Sequence, residues 1–168
     1  MSEPLHVVMH EPEIPNNTGN IGRTCVATGA KLHLIRPFAF ETSVKALRRA
    51  GLDYWPRLAP TEHGSFDEYV RATGVDTSRV WLFTTKGTRA AWDAEIRPGD
   101  HLLFGKETAG LPDEILDRYP DRLVRFPMVE GERSLNVATA VCAALYEGIR
   151  QCAARGQYTL SADGALEI

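Results

Sequence analysis

The sequence has few of the features typical of disulfide-stabilised, membrane-spanning or metal-dependent proteins. Its 168 residues include three cysteines, an odd number, and no Cys-x-x-Cys pair. No apolar run approaches the roughly 20 residues of a membrane span, and no signal peptide is evident. The five histidines are scattered, without a partner at ligand spacing. These absences argue against a metal site and lead us to expect a cytoplasmic protein.

The chain also lacks an overall basic charge. Nineteen lysines and arginines stand against 22 aspartates and glutamates, which gives a formal net charge of −3. A nucleic-acid partner would therefore have to bind a local patch of cations. One such patch is predicted from Lys45, Arg48, Arg49 and Arg57. The simpler interpretation of the same residues is a solvated helix face.

Short apolar runs alternate with helical patterns along the chain. Strands are predicted at residues 5–9, 31–35, 80–84, 101–104 and 123–126, and helices at 18–28, 44–50, 66–72 and 136–151. This alternation predicts an α/β fold with a mostly parallel sheet and helices on both faces. The length suits one domain, which we place at residues 1–156. The weakly patterned tail, 157–168, is expected to be loosely held.

Polar, glycine-rich segments follow four of the predicted strands. They are EPEIPNNTGN, TTKGT, GKETAGLP and PMVEGERSLN. Ligands of parallel sheets bind outside the carboxyl ends of the strands, so we expect these segments to line one site. From the end of the first segment into the helix that follows, Gly19, Gly22 and Val26 leave a smooth stripe for close approach by a backbone or a second subunit. In the last, Ser134 is the predicted N-cap of the long helix.

Two common nucleotide-binding motifs are incomplete. Gly19 and Gly22 supply only part of the G-x-G-x-x-G fingerprint. Glu107 follows Gly105-Lys106 where a P-loop needs a hydroxyl residue. A nicotinamide-dependent dehydrogenase and a P-loop enzyme are both disfavoured.

Three segments together resemble the motifs of the SPOUT methyltransferases, in the branch that methylates ribose 2′-hydroxyls. They are NNTGNIGRTC, LLFGKETAGLP and RFPMVEGERSLNVATAV. The pattern continues through LRRAGLDYW and LFTTKGT, spans roughly residues 7–151, and is similar to members that modify the wobble nucleotide of tRNA. The resemblance implies a C-terminal trefoil knot and S-adenosylmethionine as the cofactor, with no metal. It also implies a homodimer whose active sites are shared across the interface.

The resemblance assigns roles to individual residues. Four positions match residues of the reaction itself: Asn17, Arg23, Ser134 and Asn136. Five positions match the cofactor pocket: Phe83, Gly105, Glu107, Phe126 and Ser134. Lys106 departs from the family pattern, which often has proline there. We expect a local change of the loop and an intact site.

The implied function is 2′-O-methylation of the ribose at tRNA position 34, a cytidine or uridine, with the anticodon stem-loop as the partner. Arg23 is either the general base or the group that holds the phosphate and stabilises charge on the oxygen. Arg23, Lys45, Arg48, Arg49 and Arg57 are the expected RNA contacts. Two alternatives remain: another tRNA or ribosomal RNA position, and a non-catalytic RNA-binding protein of the same fold.

Overall fold

A seven-stranded parallel sheet forms the centre of the computed structural model, which describes residues 2–38, 40 and 54–168. The strands are β1 (His6–His10), β2 (Lys31–Ile35), β3 (Thr61–His63), β4 (Val80–Phe83), β5 (Arg89–Ala90), β6 (His101–Phe104) and β7 (Leu123–Arg125). Their order across the sheet is β3-β2-β1-β6-β4-β7-β5, and each described pairing is parallel. Strands β1, β6 and β4 lie in the middle, which explains why all of their residues are buried.

Helices cover both faces of this sheet. They are α1 (Pro15–Thr28), α2 (Trp55–Leu58), α3 (Phe66–Thr73), α4 (Asp113–Arg118) and α5 (Val137–Ala154). One apolar core joins strand residues such as Met9 to Ile21 of α1 and Leu145 of α5. The other joins strand residues such as Leu103 to Tyr69 of α3 and Ile115 of α4. The predicted α/β fold with helices on both faces is confirmed.

Short 3₁₀ turns, at Thr77–Arg79, Ala91–Asp93 and Pro120–Arg122, lead into or out of strands. None of the helices in the described ranges combines the length and the apolar character that a membrane crossing requires.

The helix boundaries differ from the prediction at several points. Helix α1 begins at Pro15, because a proline in the first turn sacrifices no helical hydrogen bond and has a suitable φ. It ends at Thr28, and Gly29 follows as the C-cap with φ 70°, so the predicted end of the helix is confirmed. Helix α5 continues beyond Gln151 to Ala154. The helix predicted at 44–50 lies outside the described residues, together with Lys45, Arg48 and Arg49.

The edge strands and the C-terminal hairpin are not predicted from the sequence. Strands β3 and β5 have three and two residues and no apolar run, so they carry too little pattern to be recognised. Residues after Gly156 form an antiparallel hairpin, β8 (Thr159–Leu160) with β9 (Leu166–Glu167). Buried Tyr158 donates its hydroxyl hydrogen to the Glu3 carbonyl at 2.8 Å, and Ile168 packs against the first core. The expectation of a loosely held tail is therefore wrong.

Four histidines meet on the second face of the sheet, beside α3. His6 Nδ1 lies 2.9 Å from His33 Nε2, and His33 Nδ1 lies 3.1 Å from His63 Nε2. The His101 ring stacks on His6 with 4.0 Å between centroids, and its Nδ1 lies 2.5 Å from the Tyr69 hydroxyl. All four histidines are buried. The interpretation of the histidines as scattered is wrong in three dimensions, because strand order brings distant positions together.

We expect the folded protein to lose stability as the pH falls below about 6.5. Burial, followed by the neighbouring imidazoles, lowers the pKa of His33 and of His101 to about 3. An unfolded histidine titrates near 6.5, so below that pH the unfolded chain binds more protons than the folded chain. The free energy of unfolding therefore has its full value above pH 6.5. It declines on acidification, by up to about 1.4 kcal/mol per pH unit for each histidine.

Urea unfolding measured at a series of pH values tests this dependence. The variant His101→Asn removes one of the titrating groups and should flatten the acid limb of the stability curve. An acid limb as steep as that of the unmodified chain would contradict the assignment.

Candidate active site

A cavity of about 560 Å³ opens at the carboxyl ends of β4, β6 and β7. Its walls are residues 83–86, 104–111, 125, 126, 128, 133–137 and 140, with Ile14 and Asn17. The four polar segments that follow strands thus meet at one edge of the sheet, as predicted. The volume lies within the ~300–1,000 Å³ typical of small-molecule sites.

Three phenylalanines form the apolar floor of this cavity. Phe83 stacks on Phe104 with 4.7 Å between ring centroids, and Phe126 lies 5.6 Å from Phe83. Phe83 and Phe126 are positions at which the sequence predicts cofactor contacts, whereas Phe104 is not predicted. Its only sequence signal is its place as the last apolar residue before Gly105. Flat, apolar ring surfaces of this kind suit a planar ligand group such as a nucleobase.

Gly105 lies where two backbone segments approach too closely for any side chain. A Cβ atom on this residue would overlap the backbone of Gly110 and Leu111. The intervening loop is closed by the Gly110 N–H, which donates to the Lys106 carbonyl at 2.8 Å. Only glycine satisfies this approach, which sets the shape of one cavity wall.

The loop after β6 is fastened to the loop after β1 by polar side chains. Lys106 Nζ lies 2.9 Å from the Glu11 carboxylate. The Glu13 carboxylate accepts from the Thr108 hydroxyl at 2.8 Å and from its N–H at 3.0 Å, which lowers the pKa of Glu13. The departure at Lys106 is thus a local link between loops, and the neighbouring Glu107 still lines the cavity.

Hydrogen bonds connect the three motif segments through Glu107, Asn17 and Asn136. The Glu107 carboxylate accepts from the N–H groups of Glu13 and Ile14, at 2.8 and 3.1 Å, and from the Asn17 amide at 3.1 Å. These hydrogen bonds stabilise the start of α1, because the N-cap residue, Ile14, forms no side-chain hydrogen bond with the first turn. The Asn17 oxygen accepts from the Asn136 amide at 3.0 Å. Both ends of the Asn17 amide are engaged, which favours a positioning role.

The N-cap of α5 is Asn136. Its side-chain oxygen accepts from the N–H groups of Ala138 and Thr139 at 2.9 and 3.3 Å. Ser134 is exposed on the cavity wall two residues earlier, where the backbone has not yet become helical. The prediction of Ser134 as the N-cap is therefore wrong, since the helix begins at Val137.

We expect Asn136→Ala to destabilise the protein by about 1–2 kcal/mol, because it removes the cap and leaves the Asn17 oxygen without its donor. Ser134→Ala is the matched control and should change stability by less than about 0.5 kcal/mol. Guanidinium chloride unfolding of both variants measures the difference. Equal losses in the two variants would refute the assignment of the cap.

Arg23 lies outside the cavity of its own chain. It is exposed on α1, about 9 Å further along the helix axis than Asn17. Its guanidinium carbon is 4.9 Å from the centroid of the Tyr54 ring, and among the described residues it forms no ion pair. Of the residues matched to the reaction, Asn17, Ser134 and Asn136 are brought together and Arg23 is not.

The smooth stripe on α1 is covered by the same chain. The Tyr54 hydroxyl donates to the Gly19 carbonyl. A Cβ on Gly22 would lie 2.8 Å from the Leu58 side chain. The expected close approach to this stripe occurs, and the approaching segment is α2 together with Tyr54, the residue before it.

Cations surround much of the cavity mouth. Lys86, Arg125 and Arg133 line it, and Lys86 pairs with Asp113 at the start of α4. Arg125 and Arg133 form no ion pair within the described ranges of the chain. Arg57 of the predicted cationic patch is exposed on α2. Such a mouth favours anionic groups on a ligand or substrate.

A parallel α/β sheet whose carboxyl edge carries these three motif segments is the fold of the SPOUT methyltransferases. The chain belongs to the SpoU rRNA methylase family, whose model matches residues 4–146. It is 46% identical over 148 residues to the tRNA (cytidine(34)-2′-O)-methyltransferase of Escherichia coli K12, covering 88% of this chain and 93% of that protein.

Two solved structures are similar over most of the chain. One, described as giving insights into the 2-OH methylation of C/U34 on tRNA, is 45% identical with a TM-score of 0.82, covering 91% of this chain and 99% of that one. The other is the SpoU methyltransferase AviRb from Streptomyces viridochromogenes in complex with the cofactor AdoMet. It is 29% identical with a TM-score of 0.73, covering 92% of this chain and 62% of that one.

Proposed function

We propose that this protein transfers the methyl group of S-adenosylmethionine to the ribose 2′-oxygen of nucleotide 34 in tRNA, a cytidine or uridine derivative. The observation that carries this proposal is the meeting of all three motif segments around one cavity. The 46% identity to a tRNA (cytidine(34)-2′-O)-methyltransferase supports the choice of nucleotide. Because tRNA is the substrate, we place the enzyme in the cytoplasm.

The cavity has the chemistry that S-adenosylmethionine requires. The stacked floor of Phe83, Phe104 and Phe126 suits the adenine ring, and Arg125 and Arg133 offer positive charge for the methionyl carboxylate. When bound, the cofactor would supply a methyl group already activated on a sulfonium, so the displacement would need no metal. The sulfur–methyl bond would break as the bond to the 2′-oxygen forms, S-adenosylhomocysteine would leave, and the 2′-hydroxyl proton would pass to water. The protein's own task is to hold the 2′-oxygen in line with that group.

The homodimer completes the site in this proposal. Arg23 is exposed, has no ion pair among the described residues and is remote from the cavity of its own chain, so in the dimer it enters the cavity of the partner subunit. There it holds the phosphate beside the target ribose and stabilises the negative charge that develops on the 2′-oxygen. A guanidinium stays protonated at neutral pH, which favours this electrostatic role over that of a general base.

We place a trefoil knot in the C-terminal part of the chain. Close backbone contacts beside the cavity agree with such a knot. The Thr84 N–H donates to the Val124 carbonyl at 2.9 Å, and a Cβ added to Gly87 would lie only 3.0 Å from the Val124 backbone. The loop after β6 also closes tightly on itself, where Gly105 meets the backbone of Gly110 and Leu111. Such threading is a rare exception to the rule that chains are unknotted.

The anticodon stem-loop binds at the cationic mouth and along the predicted patch of Lys45, Arg48, Arg49 and Arg57. Phosphate contacts of this kind require only a local cluster of cations, which agrees with the net charge of −3. They also make RNA affinity fall with rising salt.

The test is incubation of the purified protein with labelled S-adenosylmethionine and bulk tRNA, followed by nuclease mapping. The expected result is label in the ribose of nucleotide 34. Label at another tRNA position, or only in ribosomal RNA, would overturn the choice of substrate. Cofactor binding by calorimetry without transfer to any RNA would favour the non-catalytic alternative.

A further inference from the structure

A second cluster of chemistry-bearing side chains lies at the amino-terminal end of the strands, away from the methyl-transfer cavity. His6 and His101 are the first residues of β1 and β6 and are register partners, and His33 lies in the adjacent strand β2. One nitrogen from each of these three histidines can be chosen so that the three atoms lie within 4.8 Å of one another. None of the three lines the cavity.

One imidazole nitrogen in this cluster is left unsatisfied. His6 uses its Nδ1 toward His33, and its Nε2 is buried without a hydrogen-bond partner among the described residues. Burying an unpaired polar atom costs about 1–3 kcal/mol. A cation bound to this nitrogen would remove that cost.

Two of these histidines already have a hydrogen-bond partner for one ring nitrogen. His33 can donate its Nδ1 hydrogen to His63, 3.1 Å away, and His101 can donate its Nδ1 hydrogen to the Tyr69 hydroxyl, 2.5 Å away. This leaves the Nε2 lone pair of His101 available, whereas that of His33 faces His6 Nδ1 at 2.9 Å. Metal-binding histidines are held in this way by a hydrogen bond from the second ring nitrogen.

We propose that His6, His33 and His101 bind one late first-row divalent cation, such as Zn²⁺. Three imidazoles without a carboxylate or thiolate favour this class of ion over Mg²⁺ or Ca²⁺. Nitrogens 2.0–2.1 Å from a tetrahedral Zn²⁺ would lie about 3.4 Å apart. The three ligand atoms lie within 4.8 Å of one another, so side-chain rotations must draw them together by at most roughly 1.4 Å. The rotation of His33 toward the ion exchanges its hydrogen bond with His6 for a coordinate bond.

The ion has a structural role in this proposal. It joins β1, β2 and β6, and so stabilises the folded chain by a free energy that grows with the logarithm of its free concentration over its dissociation constant. The buried imidazoles are neutral at pH 7, because burial lowers the pKa of all three and the neighbouring rings lower the pKa of His33 and His101 further, so protons do not compete with the ion there. Nearby Lys31 and Arg79 also disfavour protonation of the cluster.

Titration of the chelator-treated full chain with Zn²⁺, in competition with a chromophoric chelator, tests the site. We expect one equivalent per chain and a rise in Tm. His6→Asn, His33→Asn and His101→Asn should each weaken binding by more than about 100-fold, and Tyr69→Phe by about 10–100-fold. His10→Asn is the matched control, because His10 is buried on the same strand outside the cluster, and it should bind normally.

Absence of binding by the unmodified chain would overturn the proposal, and so would binding that survives all three ligand substitutions. If a variant fails to fold by circular dichroism, NMR of the unmodified chain with ¹⁵N-labelled histidine decides the question. Zn²⁺ should then shift the imidazole nitrogen signals of the cluster and leave those of His10 unchanged. Shifts confined to His10 would also overturn the proposal.

Discussion

Arg23→Ala lowers the rate of methyl transfer by about 10²–10³-fold and leaves S-adenosylmethionine binding unchanged. The reason is geometric: Arg23 contributes nothing to the cavity of its own chain. In the proposed dimer it supplies the positive charge beside the reacting oxygen. Transfer of labelled methyl to tRNA measures the rate, and calorimetry measures cofactor binding. Near-normal turnover in this variant would contradict the proposed role.

Conservative and matched variants refine that result. Arg23→Lys keeps the charge and should retain measurable activity if the role is electrostatic. Arg57→Ala removes another exposed arginine and should weaken RNA binding without a comparable loss of turnover at saturating RNA. Mixing Arg23→Ala subunits with subunits that cannot bind cofactor should restore part of the activity, because one site of the mixed dimer is then complete. No restoration would argue against a shared site.

Gly105→Ala destabilises the protein by about 3 kcal/mol or more and removes S-adenosylmethionine binding. The added methyl group meets the backbone of Gly110 and Leu111, which cannot rotate away as a flexible side chain could. Unfolding curves and calorimetry on the same preparations measure both effects.

Gly110→Ala is the control from the same loop. Nothing lies within 4 Å of a Cβ at that position, but φ is +67°, so the substitution should cost only about 1–2 kcal/mol of backbone strain. Comparable losses in the two variants, or normal cofactor binding by Gly105→Ala, would show that the close approach does not shape the pocket.

The position of the site could be predicted from the sequence because a parallel sheet gathers the ends of its strands at one edge. The segment after Phe83, the Gly105 segment and the Asn17 segment all follow apolar runs, and the structure places them around one cavity. The end of α1 could be predicted from local residue preference alone, because the left-handed φ of Gly29 favours glycine.

Features that depend on strand order or on loop course could not be predicted in the same way. His6 and His101 are far apart in sequence and become neighbours only because β6 lies beside β1. The N-cap of α5 is Asn136, because residues 134 and 135 belong to the loop on the cavity wall. The course of that loop, and not residue preference, determines where the helix begins. Strands β3 and β5 gain their structure from pairing at the sheet edges, since their own residues carry no apolar pattern.

The most direct test of the central claim uses two synthetic anticodon stem-loops that differ in one atom. One has ribose at nucleotide 34, and the other has 2′-deoxyribose there and is otherwise identical. With labelled S-adenosylmethionine, the proposed reaction predicts methyl incorporation into the first and none into the second, because the second lacks the accepting oxygen. Equal incorporation into both would place the methyl group on another atom and contradict the assignment of this protein as a 2′-O-methyltransferase of nucleotide 34.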